Sequence, residues 1–241
     1  MLGALLGSCA GSFVGALVLR EPDGWQGLVA GRSACRSCGT RLGIPDLVPV
    51  ASWVAMRGRC RHCRARVSPF YPLVEVAAAT IGATALALDQ GIAGLLAALL
   101  GWWLLALALI DLRSWRLPDP LTLPLLATGL AAAALGLLPG TDLVRSLAGA
   151  ATGYLVLAGI GWAYRRLRGR EGLGLGDAKL LAAAGAWLGV EPLPELVLAA
   201  ALLGLGLAVV RAWPLRAETA VPFGPPLALA FWGLFLVQAV R

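Results

Sequence analysis

Two aspartates stand where a membrane chain has little reason to place them. Asp111 ends the apolar run GWWLLALALID, and Asp177 closes the glycine-rich turn GLGLGD just before another apolar run. An ionisable group at the edge of a bilayer carries a desolvation penalty and marks a functional site by default. Two such carboxylates, brought together by helix packing, can share a proton and activate a water molecule. The chemistry to expect is peptide hydrolysis by an aspartyl pair, Asp111 and Asp177, within the membrane or at its surface.

Other charged residues compete with that reading. Asp119 precedes Pro120, an ordinary N-cap followed by proline at the first helical position. Asp111 sits at a helix C-terminus, where the macrodipole disfavours an anion; its alternative is an ion pair with Arg113 or Arg116. Asp177 is also a candidate N-cap. The helix after it runs to about Val190, before Glu191 and Pro192. That is roughly 20 Å against a hydrocarbon core of about 30 Å, which sets Asp177 below the surface. Lys179 either tunes the pair or snorkels to the interface. Glu75 follows Pro72 and reads as an acid in a first helical turn, with a substrate amine as its other possible partner. The turn Pro222-Phe-Gly-Pro-Pro226 opens the last apolar run, and irregular backbone at that depth must line protein or a cavity.

Four of the five cysteines form two C-x-x-C pairs, Cys35/Cys38 and Cys60/Cys63, with 21 residues between the pairs. This is close to the spacing of zinc ribbons, and four thiolates give a closed, structural tetrahedral site. A loop this small has too little core to fold unaided, so bound Zn2+ supplies its stability. Redox-active thiols are the alternative, but no βαβ pattern accompanies them. His62 lies inside the second pair as a bystander. Cys9 reads as a small packing residue in the first apolar run. Arg57, Arg59, Arg61, Arg64 and Arg66 crowd the second pair; anionic membrane lipid explains them without a nucleic-acid partner.

The elements that position these groups are membrane helices. Hydrophobic residues make up 59% of the 241, and charged ones 14%, against about 25% in a soluble domain. Apolar runs over 1–19, 70–88, 91–110, 120–138, 146–164 and 221–240, with two shorter ones over 178–210, predict an all-α polytopic membrane protein of about eight transmembrane helices. A small zinc-ribbon-like cytosolic loop domain sits between the first two. The expected organisation is a first transmembrane helix (1–19), a zinc-binding loop (20–69) and a seven-helix membrane protease domain (70–241). The first run lacks the basic start of a secretory signal. Of 20 basic residues, only Arg145 and Arg241 fall opposite the basic loops, which all lie on one side. The positive-inside rule puts that side, and the cysteine loop, in the cytosol and both termini outside. Gly3, Gly7, Gly11 and Gly15, and again Gly149 and Gly153, form small-xxx-small faces for close helix packing.

Taken in order, these segments resemble the type IV prepilin peptidase family, GxGD-type aspartyl proteases that act as prepilin leader peptidases and N-methyltransferases. The resemblance rests on Gly11-Ser-Phe13, both cysteine pairs, Arg57-Gly-Arg-Cys60, Tyr71-Pro-Leu-Val-Glu75, Asp111 with Leu117-Pro-Asp119, Glu171 through Leu180, and Pro222-Phe-Gly-Pro225. It implies that Asp111 and Asp177 are the catalytic pair. They would cleave type IV prepilins or type II secretion pseudopilins after a glycine, at the cytosolic face of the bacterial inner membrane. It further implies S-adenosylmethionine-dependent methylation of the new N-terminus, associated with the zinc-bearing loop. The sequence names no residue for that cofactor, because it holds no glycine-rich strand–helix fingerprint. The chain departs from the family at Val14-Gly-Ala-Leu-Val-Leu-Arg20, which lacks the usual Asn and Tyr, and at Asp46, where Asn is common. Those departures bear on methyl transfer, and a peptidase without it is the alternative. A more remote one is a proton- or cation-coupled transporter with a zinc-bound loop; no internal repeat matches the two acidic segments. A membrane-tethered nucleic-acid module would leave both acids unexplained.

Overall fold

The computed structural model describes residues 1–21, 33–169, 174–212 and 221–240. Among them the chain is all helical, including one 3-10 turn at Ile44–Asp46, apart from two isolated β-bridges. In chain order the helices are α1 (Leu2–Arg20), α2 (Ala51–Ala55), α3 (Phe70–Leu88), α4 (Ile92–Ser114), α5 (Asp119–Ala134), α6 (Leu143–Arg168), α7 (Leu175–Leu188), α8 (Leu193–Ala212) and α9 (Gly224–Val240). Each expected apolar run forms a helix. Five of these (α1, α3, α4, α6 and most of α8) have the length and composition to cross a membrane, while α5 and α9 are shorter apolar helices. The protein is a multi-pass membrane protein, and large apolar side chains such as Leu155, Trp162 and Leu202 are exposed along its helices.

The chain forms two compact units, Met1–Ala87 and Leu88–Arg241. The helix Phe70–Leu88, but for its last residue, falls within the first.

In the first unit, glycines set how closely α1 meets α3. A Cβ at Gly3 would meet the Gly82 carbonyl oxygen, one at Gly7 the Ala78 carbonyl oxygen, and one at Gly11 would lie 2.6 Å from the Glu75 Cα. Lipid tails are as apolar as leucine, so contact of this kind, rather than water exclusion, holds such helices together. Gly15 is looser, with only an ordinary contact to Tyr71. Cys9 does not pack in this seam: it is exposed, which corrects its expected role.

The second unit is built around α7. Apart from Lys179, every residue from Ala178 to Leu188 is buried, and the helix packs against α5, α6 and α9. Its composition permits this enclosure, because AAAGA in its middle presents almost no side chain. At the crossing with α6, a Cβ at Gly149 would intrude on the Gly185 carbonyl and one at Gly185 on the Gly149 carbonyl, while Gly153 lies against Leu181. The helix has 14 residues, about 21 Å at 1.5 Å per residue. It ends at Gly189, whose φ of 85° and contact with Thr141 exclude any side chain. Trp187 fastens the helix to α5, its indole N–H donating to the Leu125 carbonyl at 2.9 Å.

Candidate active site and metal centre

Asp111 lies in the last turn of α4 and is only 6% exposed. The helix continues to Ser114 and closes on Trp115 in the left-handed conformation, its N–H donating to the Asp111 carbonyl oxygen at 2.9 Å. An anion at a helix C-terminus needs compensation. Here it comes from the start of α9, where the Gly224 N–H donates to Asp111 Oδ2 at 3.0 Å. Pro225 and Pro226 follow and have no N–H, so Gly224 supplies the one backbone donor of those first three helical positions. A Cβ on Gly224 would lie 2.6 Å from that oxygen. The Pro-Phe-Gly-Pro-Pro turn therefore touches the candidate acid directly, as its irregular sequence led one to expect.

Asp177 is the third residue of α7, half-buried, with Gly174 at the N-cap. It is thus not the N-cap itself. Its carboxylate turns back to the Gly174 N–H, as the acid of a capping box does. The glycines act by proximity rather than by unusual angles. Gly174 is extended at φ −73°, ψ 141°, and Gly176 must lack a side chain because a Cβ there would lie 2.9 Å from the Leu117 Cβ. Leu117 belongs to the α4–α5 link, so this close approach brings the first turn of α7 to the end of α4. Asp111 and Asp177 are close enough to interact electrostatically. Glu171 and Gly172 lie outside the described residues.

Asp119 occupies the first position of α5, with Pro118 at the N-cap and no side-chain capping bond. The expected N-cap is therefore one residue off. The Asp119 carboxylate instead forms an ion pair with Lys179. The pair joins the starts of α5 and α7 beside the Leu117–Gly176 contact.

In the first unit the four cysteine sulfurs lie within 4.8 Å of one another. A tetrahedral ion with bonds of about 2.3 Å to sulfur spaces its ligands about 3.8 Å apart. The Cys35 and Cys63 sulfurs are 3.8 Å apart, so the thiols fit such an ion. Two matching knuckles build the cluster. The Cys35 N–H donates to Thr40 and the Gly39 N–H to Cys35, each at 2.9 Å; the Cys60 N–H donates to Ala65 at 2.9 Å and the Arg64 N–H to Cys60 at 3.0 Å. A β-bridge closes each knuckle, Ala34 to Arg41 and Arg59 to Arg66. Backbone N–H groups of Cys38 and Ser37 hold the Cys35 thiol below its ordinary pKa, and those of Cys63 and His62 do the same for Cys60. The Thr40 hydroxyl and N–H lower Cys38. Cys63 receives the Ala65 N–H, yet desolvation and the three neighbouring thiols push it up to about 11. His62 is exposed and outside the cluster.

Glu75 is buried, 6% exposed, in the second turn of α3 rather than the first. The helix begins at Phe70, whose N–H donates to the Ser68 hydroxyl at 3.2 Å, so Pro72 sits inside the first turn, where no intrahelical N–H is needed. Glu75 Oε2 accepts the Val50 N–H at 2.7 Å.

Two family models match. One, the bacterial peptidase A24 N-terminal domain, covers residues 5–88, and the other, the type IV leader peptidase family, covers residues 98–209. Curated relatives named prepilin leader peptidase/N-methyltransferase include one from Burkholderia pseudomallei (strain K96243), 48% identical over 82% of this chain and 64% of the relative. One from Aeromonas hydrophila is 44% identical over 85% of this chain and 71% of its own, and one from Pseudomonas aeruginosa 38% over 95% and 87%. The chain belongs to the type IV leader peptidase family. It spans 64% of the length of the Burkholderia relatives it matches. No solved structure matches it significantly. Within the family match, residues 5–88 carry both cysteine pairs and Glu75, and residues 98–209 carry Asp111, Asp119, Asp177 and Lys179. Gly224 lies beyond both matched ranges, and only the contact with Asp111 brings it into the site.

Proposed function

We propose that the chain is a membrane aspartyl endopeptidase that cleaves the leader of type IV prepilins or pseudopilins after a glycine. The observation that carries this reading is that Asp111 and Asp177, at the ends of two apolar helices, lie near enough for their carboxylates to interact. One carboxylate, ionised, takes a proton from a water held between the pair as that water attacks the scissile carbonyl carbon. The other, protonated, donates a hydrogen bond to the carbonyl oxygen as charge develops there. The C–N bond then breaks, and a proton passes to the departing amine. Gly224 holds Asp111 in place throughout, and the Gly174 N–H does the same for Asp177.

The wider reading keeps all eight apolar helices in the membrane, with the cysteine loop cytosolic and both termini outside. It divides the chain into a first helix (1–19), a zinc-binding loop (20–69) and a protease segment (70–241). Cys35, Cys38, Cys60 and Cys63 would hold a structural Zn2+, which orders the loop and takes no part in hydrolysis. Methylation of the new N-terminus with S-adenosylmethionine belongs to the proposal through the names of the relatives. The described residues hold no strand–helix turn of the dinucleotide type to cradle that cofactor.

A synthetic prepilin spanning its leader junction, incubated with the reconstituted protein, tests the peptidase. Mass spectrometry should find one cut after the glycine, and its absence with folded protein overturns the proposal. The same spectra report any methyl group added to the mature N-terminus. Gly224→Ala is expected to insert normally but to displace the Asp111 carboxylate. Misplacement of about 1 Å costs on the order of 10²-fold in rate, and a Gly224→Ala enzyme with parental kcat would show that this contact does not position the acid.

A further inference from the structure

The cysteine loop is fastened to both helices that flank it. An Arg36 guanidinium nitrogen donates to the Leu19 carbonyl oxygen in the last turn of α1 at 3.3 Å. The Val50 N–H donates to Glu75, the sixth residue of α3. Val50 has φ 58° and ψ −51°, a conformation that a branched side chain takes only when its surroundings impose it. At 1.5 Å per residue, Glu75 is about 7–8 Å along α3 from Phe70. The segment around Val50 is therefore held level with the second turn of a membrane helix.

That segment exposes apolar side chains. Ile44 is 84% exposed, Val54 60%, Val48 45% and Leu47 41%. Arginines follow at once: Arg57, Arg59, Arg61, Arg64 and Arg66 are all exposed. Arg61 pairs with Asp46 at 3.0 Å, tying the apolar segment to the basic knuckle. Apolar groups beside cations, tethered at the depth where a membrane helix begins, are the composition of an interfacial anchor. A soluble partner would have no need of the double tether to helix ends.

We propose that residues 44–54 are an interfacial membrane anchor, with Ile44, Leu47, Val48 and Val54 sunk into the headgroup–acyl boundary and the arginines after them on anionic lipid phosphate. The anchor would hold the metal-bearing knuckles flat on the bilayer. It goes beyond the peptidase reading and does not depend on it, since it rests only on the membrane fold and the loop's own contacts.

Hydrogen exchange on the full chain tests it, in nanodiscs of phosphatidylcholine alone and of phosphatidylcholine with phosphatidylglycerol. Amides of residues 44–54 should exchange several-fold more slowly with the anionic lipid present, and raised salt should reverse the difference. Arg57→Gln should weaken that preference by up to about fivefold. Ile44→Ser combined with Val54→Ser should remove the protection while metal content stays parental, which reports intact knuckles. Equal exchange in the two lipids, or protection retained in the serine variant, overturns the proposal. So does protection that develops only when another polypeptide is added.

Discussion

Asp111→Asn and Asp177→Asn are each expected to abolish the proposed prepilin cleavage, with kcat lowered by about 10²–10⁴-fold or more, while the inserted helices and the metal content should stay as in the parent. Asparagine keeps the shape of the side chain and can still accept the Gly224 or Gly174 N–H, so the geometry survives. It can neither take a proton from water nor share one across the pair, so the chemistry does not. Asp119→Asn is the contrast. It removes the ion pair with Lys179, whose side chains are 28% and 53% exposed for lysine and aspartate respectively. Pairs with that much solvent access are worth about 1 kcal/mol at most, so its kcat should fall no more than about fivefold. Lys179→Met should fall by a similar amount, and the double variant by no more than either single one, because the two remove the same contact. Cleavage kinetics on a reconstituted prepilin, with circular dichroism of each variant, decide the matter. Asp119→Asn activity as low as that of the other two would move catalysis to the Asp119–Lys179 side of α7.

Each aspartate of the candidate pair breaks a local rule in the sequence, and the fold brings the two within electrostatic reach. Asp111 stands at the wrong end of a helix dipole, and Asp177 opens a helix too short to span a bilayer. The glycine periodicity on α1 and α6 also survived into three dimensions, since a residue without a Cβ in an apolar helix has few uses except close approach. What it could not name was the surface approached: Gly185 and the Gly82 carbonyl gave no signal of their own. Partners distant in sequence were equally hidden. Lys179 meets Asp119 across 60 positions, and no local pattern links them. Glu75 reads as a first-turn acid because Pro72 looks like a helix start, whereas the helix already begins at Phe70. The Gly224 donor was half legible. The prolines announced an irregular turn, and only the fold could reveal that the single N–H left among them faces Asp111.

Removing the metal should unfold the cysteine loop and leave the membrane helices intact. Among the described residues the loop's apolar interior is slight: Trp53 lies over Gly58, and its indole N–H reaches the Val67 carbonyl at 3.1 Å. Two knuckles of six residues each must be held by something stronger. Structural zinc sites of this kind contribute about 10–16 kcal/mol of apparent binding free energy near neutral pH, more than so small a core can offer. One Zn2+ per chain is the expected stoichiometry, and Cys60→Ser, which removes the buried thiol, should lose it. Uptake must displace the proton from Cys63, whose thiol is pushed up to about 11. Binding therefore releases protons, and zinc affinity falls as the pH is lowered, because protons then compete for the sulfurs. Chelation followed by hydrogen exchange should show fast amides at residues 34–41 and 59–66, with α4 and α7 still protected. A loop that keeps its protection after the metal is gone, or a Cys60→Ser protein that retains a full equivalent of zinc, would mean that the four thiols are held together by the polypeptide alone. In that event the match between the sulfur spacing and a tetrahedral ion would not reflect metal binding.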